Sequence, residues 1–211
     1  MRKNGIRHIY IGIGLILAFV LWTVLVLFVD VQPIGPRDSS VGFATVNGAF
    51  HRLTGVHFTL YHITDWLGLV PIAVCLCFAT LGLVQWVKRK GLFKVDRSLF
   101  VLGAFYIAVM AVYVLFELVV INRRPTLIEG YLEASYPSST TMLVMCVMPT
   151  AILQLNARMK KGIFKKCVLS VIAVFTLFMV IGRLVSGVHW LTDIVGGLLF
   201  GTGAVAIYYG L

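Results

Sequence analysis

The chain has 211 residues, of which 60% are hydrophobic and only 12% are charged. A soluble domain averages about 45–50% apolar and about 25% charged residues. The apolar excess, which gives a mean hydropathy of +0.97, is too large for a core surrounded by water and occurs in long blocks. It excludes a soluble globular fold and indicates a membrane protein.

The formal net charge of +10 comes from basic residues that lie beside the hydrophobic blocks. Three clusters hold most of these residues: Arg2, Lys3 and Arg7; Lys88, Arg89, Lys90, Lys94 and Arg97; and Arg158, Lys160, Lys161, Lys165 and Lys166. Basic residues in such positions report membrane topology. We therefore expect the lipid bilayer, and no nucleic acid, as a partner.

The hydrophobic blocks predict six transmembrane helices, because each approaches the roughly 20 residues that span a bilayer. The first, Ile9–Val29, has no small-residue cleavage site after a short apolar core, so it is interpreted as an anchor. The other predicted spans are Leu60–Val87, Ser98–Ile121, Ser138–Leu155, Cys167–Val185 and His189–Tyr209. Gly197 and Gly201 form a G-x-x-x-G pair in the last span, which predicts close helix packing. The chain contains no internal repeat, and residues 1–211 are interpreted as one domain.

The segment around residues 42–53 carries a second kind of pattern. Phe43, Val46, Phe50 and Leu53 recur at three- and four-residue spacing with polar residues between them. This spacing favours a short helix that lies in the membrane interface. An ordered extracytoplasmic loop explains the same residues equally well.

The positions of the basic clusters predict the orientation of the six spans. Six spans place both termini on one side, and a cytoplasmic location of that side makes all three clusters cytoplasmic. Residues 30–59, 122–137 and 186–188 then face outward. We expect a multi-pass protein of the plasma membrane, and the size and architecture favour a bacterial one.

Ionisable residues at the ends of membrane spans are energetically costly and usually functional, and here they concentrate on the outward side. His189 and Asp193 are four residues apart, so they share one face of a helix. A carboxylate that accepts the Nδ1–H of His189 leaves Nε2 as a nucleophile or base. Arg183 lies six residues earlier, and its planar guanidinium suits a phosphate in the same pocket. A purely structural His–Asp hydrogen bond is the alternative interpretation.

Two further elements reach the same membrane face. Ser138 is placed to cap the fourth predicted span, whose first turn, including Ser139, offers unpaired N–H groups to an anion; an ordinary helix start explains the same residues. Arg123 and Arg124 follow the third span, where contact with lipid phosphates is the alternative. The convergence of these elements at one face, under a topology derived from other residues, favours an anion-binding site.

The order of these motifs resembles the signature of a known family. Arg124-Pro125, Pro137-Ser138 and Arg183-x5-His189-x3-Asp193 together are similar to the three-part signature of the type 2 phosphatidic acid phosphatase and vanadium haloperoxidase superfamily, membrane branch. The motifs cover residues 117–193, and the predicted architecture matches along the whole chain. The resemblance implies an all-α polytopic bundle.

The resemblance also implies a lipid phosphatase or phosphotransferase that acts on a lipid phosphate or diphosphate. His189 attacks phosphorus to form a phosphohistidine, and Asp193 orients it. Arg124 and Arg183 hold the non-bridging oxygens, together with Ser138, Ser139 and nearby backbone N–H groups. Such chemistry needs positioning and charge neutralisation, so neither a metal nor another cofactor is expected.

The sequence departs from the family pattern at three positions. Glu117 stands where the family has a Lys, Thr140 stands where it usually has a His that protonates the leaving group, and Gly182 replaces a Ser. Three explanations remain open. The substrate is a lipid diphosphate whose leaving group needs no proton, or Glu117 or Glu133 supplies the proton, or the chain binds a phosphorylated lipid without turnover. A small transporter or channel is a third class of function, but polar residues at mid-depth and paired broken spans are scarce.

Overall fold

The structure is a computed structural model that describes residues 3–211, with side chains from residue 5 onward; Arg2 of the first basic cluster lies outside these residues. Within this range the protein is an all-α membrane bundle. Its helices are α1 (Lys3–Phe28), α2 (Ala44–Thr54), α3 (Phe58–Leu67), α4 (Leu69–Arg89), α5 (Arg97–Leu118), α6 (Ser139–Arg158), α7 (Ile163–Val185) and α8 (Leu191–Gly210). Six segments are long and apolar enough to cross a membrane, with α3 and α4 forming one of them, which confirms the six predicted spans.

The second span has a one-residue interruption of its helical hydrogen bonding at Gly68, where the backbone dihedrals remain helical (φ −60°, ψ −18°). Helix α3 ends at Leu67 and α4 begins at Leu69, so Gly68 separates them. Pro71 has no N–H to donate to the carbonyl of Leu67, and its ring crowds that carbonyl. Helix α3 packs on α7, whereas α4 packs on α5 and α6.

Helix α2 confirms the helical interpretation of residues 42–53. The buried Asn47 fixes it to the start of α8, because its amide donates to Gly42 O at 2.7 Å and to Thr192 Oγ1 at 3.0 Å. Its carbonyl oxygen also accepts the Thr192 N–H at 3.2 Å. Val46 and Leu53 on its other side are exposed.

The centre of the bundle is α8, which packs on α1 and α6. A Cβ added to Gly201 would lie 2.4 Å from Met145 Cβ on α6, and one added to Gly203 would lie 3.1 Å from the Gly12 carbonyl on α1. The predicted close packing of the glycine-rich last span is therefore confirmed. The aromatic core beside it includes Phe19 and Tyr136.

The chain connections separate the bundle into two ends. The segments between α1 and α3, between α5 and α6, and between α7 and α8 lie at one end, which we call the motif end because all three motifs reach it. At the opposite end, Arg158 donates to Ser98 Oγ at 2.9 Å, and Arg89 pairs with Asp96 at 2.9 Å. The fold thus brings sequence-distant polar residues together at the motif end.

Candidate active site

The segment between α5 and α6 folds back on itself as a hairpin, which we call the 122–135 hairpin. Ser135 N–H donates to Asn122 O at 2.9 Å, and Arg124 N–H donates to Glu133 O at 3.1 Å. At its tip, Glu129 and Gly130 have φ values of 50° and 83°, as in the two-residue turns that suit hairpins. The pairing places the side chains of Arg124 and Ser135 close to the same imidazole.

That imidazole belongs to His189, which precedes α8 instead of lying on it. The corner before it contains Gly187, whose φ is 69° and where an added Cβ would lie 1.9 Å from the Gly55 carbonyl oxygen. A glycine is therefore required at this corner. His57 N–H donates to Ser186 O at 2.9 Å, which ties the corner to the start of α3. His189 is only 3% exposed as a result.

Both ring nitrogens of His189 are held by the 122–135 hairpin. Arg124 Nη1 lies 3.3 Å from Nε2, and Ser135 Oγ lies 3.1 Å from Nδ1. A guanidinium has donors only, so Nε2 accepts and carries no proton. Burial first, and then the charges of Arg124 and Arg183, hold the pKa of His189 well below its ordinary value. The structure therefore presents a neutral imidazole with its Nε2 lone pair directed at a cation.

Asp193 contacts His189 less directly than the sequence predicts. Its Oδ2 lies 3.7 Å from Nδ1 of His189, which is too long for a hydrogen bond. The prediction of a direct bond is wrong because His189 lies before α8, not on its face. Oδ2 instead accepts the Ser135 hydroxyl and, at 2.9 Å, the Trp190 backbone N–H that it caps.

Arg183, on the last turn of α7, is almost completely buried at 2% exposure. Its Nη2 donates to Asp65 Oδ1 at 2.9 Å and to Thr140 Oγ1 at 2.6 Å, and its Nη1 donates to Thr64 Oγ1 at 3.4 Å. Among the described residues, its buried Nε has no hydrogen-bond partner. A buried donor without a partner is costly, and an anionic ligand here would satisfy it.

Tyr61 of α3 connects the two arginines that the motifs predict to act together. The guanidinium carbon of Arg183 lies 5.0 Å from the centre of the Tyr61 ring, and that of Arg124 lies 6.0 Å from it. Cations are attracted to the faces of aromatic rings at such distances. The ring therefore offsets part of the repulsion between two like charges and holds both at one site.

The first turn of α6 contributes three polar residues with different surroundings. Ser138 is fully buried and is the N-cap, as predicted, with its hydroxyl accepting from Thr141 N–H at 3.5 Å and its own N–H donating to Asp193 O at 3.1 Å. Ser139 lines both a small recess beside His189 and a groove that opens toward α4 and α5. Thr140 also lines the groove and accepts from Arg183.

The two glutamates that the sequence predicts as substitute acids or charge partners lie in different places. Glu133 Oε2 is 3.0 Å from Arg124 Nε, so Glu133 is a charge partner of that arginine. Glu117 is exposed and lines the recess that also contains His189, Ser135 and Ser139. The structure therefore brings Glu117 to the same recess as the imidazole, and Glu133 to Arg124.

Sequence reasoning missed several residues that build this site, chiefly Ser135, Tyr61, Thr64 and the pairing of Asp65 with Arg183. The Glu129-Gly130 dipeptide was the one local signal for the hairpin, since residues at such turns need φ above zero. Nothing in the local pattern marks Tyr61, because its role depends on contacts across the bundle.

Comparison with known proteins places this site in context. The family model described as "PAP2 superfamily" matches residues 119–211. Among solved structures, the chain is similar to that of a transmembrane PAP2-type phosphatidylglycerolphosphate phosphatase from Bacillus subtilis, with 20% identity, 94% of each chain covered and a TM-score of 0.59. This likeness shows that the two chains share a fold. No curated protein matches the chain.

Proposed function

Because residues 119–211 of this chain match the family model described as "PAP2 superfamily", we propose that the protein is a membrane lipid phosphatase or phosphotransferase. Its substrate is a lipid phosphate or diphosphate, and the reaction proceeds at the extracytoplasmic face through a phosphohistidine. The observation that carries the proposal is the 3.3 Å contact between His189 Nε2 and Arg124 Nη1, because a guanidinium can only donate and Nε2 must therefore accept.

The first step is attack of Nε2 on phosphorus. Arg124 moves its N–H from the Nε2 lone pair to a non-bridging phosphate oxygen, and Arg183 donates its free Nε–H to another. The P–N bond forms as the P–O bond to the lipid leaving group breaks, and that oxygen keeps the electron pair. Two fixed guanidiniums stabilise the charge that spreads over the phosphoryl oxygens.

The second step returns the free enzyme. Water, or the hydroxyl of an acceptor molecule, attacks phosphorus and breaks the P–N bond, and the proton that the attacking oxygen loses passes to a phosphoryl oxygen or to bulk water. Attack by water releases inorganic phosphate, and attack by an acceptor hydroxyl completes a phosphotransfer. Nε2 again has its lone pair, which Arg124 then binds.

A lipid substrate fits the surroundings of the site. The groove beside Ser139 and Thr140 has a volume of about 310 Å³ and continues between apolar side chains of α4, α5 and α6, namely Leu69, Ile72, Met110 and Leu143. A head group at Arg183 would leave its tail in this groove. In this arrangement the polar residues of the site contact the phosphate head group, and the apolar residues of the groove contact the hydrocarbon tail.

The test is a phosphate-release assay with purified protein over lipid monophosphates, lipid diphosphates and phosphodiesters. We expect release that His189→Ala abolishes, and a phosphohistidine that can be trapped with radiolabelled substrate and is labile to acid. His8→Ala is the matched control, because His8 lies near Tyr209 at the opposite end of the bundle. Absence of release from every substrate would refute catalysis.

A second candidate function is binding of a phosphorylated lipid without turnover. It is favoured by one observation: both site arginines already pair with carboxylates, Arg124 with Glu133 and Arg183 with Asp65. This reading predicts that the native chain is inactive. It further predicts that Glu117→Lys combined with Thr140→His creates activity that the native chain lacks.

A further inference from the structure

We propose that Ser135 is a positioning residue that couples Asp193 to His189, so that the carboxylate acts on the imidazole through the serine hydroxyl. The inference rests on the proposed function, since it concerns the same nucleophile. The two titratable groups are 3.7 Å apart and do not bond directly. Ser135 Oγ bonds to both, lying 3.1 Å from His189 Nδ1 and donating to Asp193 Oδ2.

Four side chains are linked in series by hydrogen bonds: Arg124, His189, Ser135 and Asp193. The direction of each of these bonds follows from the donors available. Arg124 only donates, so it requires an unprotonated Nε2 and the neutral ring carries its proton on Nδ1. Nδ1–H therefore donates to Ser135 Oγ. The single hydroxyl proton of Ser135 is then directed to Asp193. Only one arrangement satisfies all three contacts, and it leaves Nε2 as the nucleophile.

The backbone fixes the serine hydroxyl in this position. Ser135 is 3% exposed, and its N–H donates to Asn122 O at 2.9 Å in the 122–135 hairpin. Hydrogen bonds in such water-poor surroundings are stronger than exposed ones, and chains of them reinforce each other. The 122–135 hairpin therefore hydrogen bonds to both nitrogens of the His189 ring, through Arg124 and through Ser135.

The relay has a defined part in the reaction. When Nε2 bonds to phosphorus, the ring becomes positively charged and keeps its proton on Nδ1. That proton points at Ser135, whose oxygen is made more electron-rich by its own bond to Asp193. The charge that develops on the ring is stabilised without a proton transfer, and Ser135 does not touch the phosphoryl group.

The experiment combines kinetics with NMR of purified protein in micelles. Ser135→Ala should lower kcat on the order of 100-fold, because the positive charge that develops on the ring loses the hydrogen-bond acceptor at Nδ1, with little change in KM because phosphate contacts remain. The downfield proton resonance of a hydrogen-bonded His189 Nδ1–H, assigned with His189→Ala, should move upfield. Ser135→Thr, which keeps the hydroxyl, should restore both properties.

Two further variants guard against a general folding effect. Thr150→Val removes a hydroxyl as buried as that of Ser135, from a site that contacts Tyr106 inside the bundle, and should leave kcat and the resonance unchanged. Ser135→Cys is nearly isosteric and bonds weakly, so it should resemble Ser135→Ala even if the alanine variant folds poorly. The cost of Asp193→Asn should also shrink in a Ser135→Ala background.

The outcomes separate this inference from the proposed function. If the native protein releases phosphate and Ser135→Ala leaves kcat and the resonance unchanged, the relay is refuted and the phosphatase stands. If the native protein releases none, the proposed function fails, and the resonance alone decides the inference. Its loss in Ser135→Ala supports the coupling, and its persistence overturns it.

Discussion

Asp65 of α3 and Arg183 of α7 form an ion pair of 2.9 Å in which the arginine side chain is 2% exposed and the aspartate side chain is 54% exposed. A nearly buried cation is thus anchored by a carboxylate that remains in contact with its surroundings. Thr64 and Thr140 hold the same guanidinium from two other directions. Removal of the carboxylate should therefore change the charge at the site more than the position of Arg183.

The first prediction follows from this arrangement. Asp65→Asn should strengthen inhibition by inorganic phosphate and lower KM for a dianionic lipid monophosphate by about threefold to tenfold, because one negative charge near the phosphate is removed. Asp65 is half-exposed, so the gain should shrink as ionic strength rises. Asp38→Asn, in an exposed loop, is the matched control. Weaker phosphate inhibition in Asp65→Asn would mean that the aspartate mainly positions the arginine.

The second prediction concerns Tyr61, whose ring lies beside both site arginines. Tyr61→Leu should weaken phosphate binding about tenfold, because it removes two cation–π contacts worth about 0.5–2 kcal/mol each. Tyr61→Phe keeps the aromatic face and should bind phosphate nearly as well as the native protein. The measurement is the inhibition constant of inorganic phosphate for each variant. Equal losses in both variants would assign the effect to the hydroxyl instead of the ring.

The sequence was sufficient to predict what depends on local pattern. Span positions follow from hydrophobic blocks, and the N-cap at Ser138 follows from the Pro137-Ser138 start of a helix. The meeting of Arg124, Arg183 and His189 at one end follows from the order of the spans. These features need no knowledge of which helix packs on which.

The rest depends on contacts between distant segments. Ser135 reaches His189 only because the loop before α6 folds back as a hairpin. A shift of the hairpin pairing by two residues would place a different side chain beside His189. Tyr61 and Asp65 reach Arg183 because α3 packs on α7. Hydrophobic periodicity and secondary-structure propensity describe one segment of the chain at a time, so they cannot identify contacts between distant segments.

The third prediction is a pH dependence. Burial, Arg124 and Arg183 lower the pKa of His189, and the neutral ring is the reactive form. Activity should therefore persist as pH falls through the ordinary histidine pKa of about 6.5, and disappear only at the lower pKa of His189. Folded-state stability should decline over the same interval, since the unfolded chain gains a proton first.

The carbon and nitrogen resonances of the His189 ring, followed by NMR as a function of pH, measure this pKa directly. Arg124→Gln removes a nearby positive charge and should raise the pKa toward the ordinary value. Arg52→Gln, on the exposed part of α2, should not change it. A native His189 that titrates at or above about 6.5 would contradict the electrostatic argument.

The fourth prediction tests the membrane orientation. Single cysteines are introduced by Glu129→Cys at the hairpin tip and by Lys161→Cys between α6 and α7, in a chain whose four native cysteines are replaced. A membrane-impermeant maleimide should label Glu129→Cys in intact cells and Lys161→Cys only after permeabilisation, because basic loops remain in the cytoplasm. The reverse pattern would place the site on the cytoplasmic side.

The fifth prediction separates the two catalytic explanations of the departures from the family pattern. Glu133 pairs with Arg124, whereas Glu117 lines the recess that contains His189, so Glu117 is the better candidate for the acid. If Glu117 protonates the leaving oxygen, Glu117→Gln should lower kcat/KM for a lipid monophosphate on the order of 100-fold. The same change should have little effect on a lipid diphosphate, whose phosphate leaving group departs without a proton.

The comparison needs both substrates on the same preparations, with Glu129→Gln, an exposed glutamate at the hairpin tip, as the control. Equal losses on both substrates would show that Glu117 contributes to folding or binding and not to proton donation. A third outcome is that Glu117→Gln lowers activity on neither substrate and that the diphosphate is the only good substrate. This outcome would show that the site has no general acid, because the leaving group of a lipid diphosphate requires no proton. Thr140→His should then extend activity to monophosphates, since a donor would stand beside Arg183, the arginine that we propose holds the phosphate.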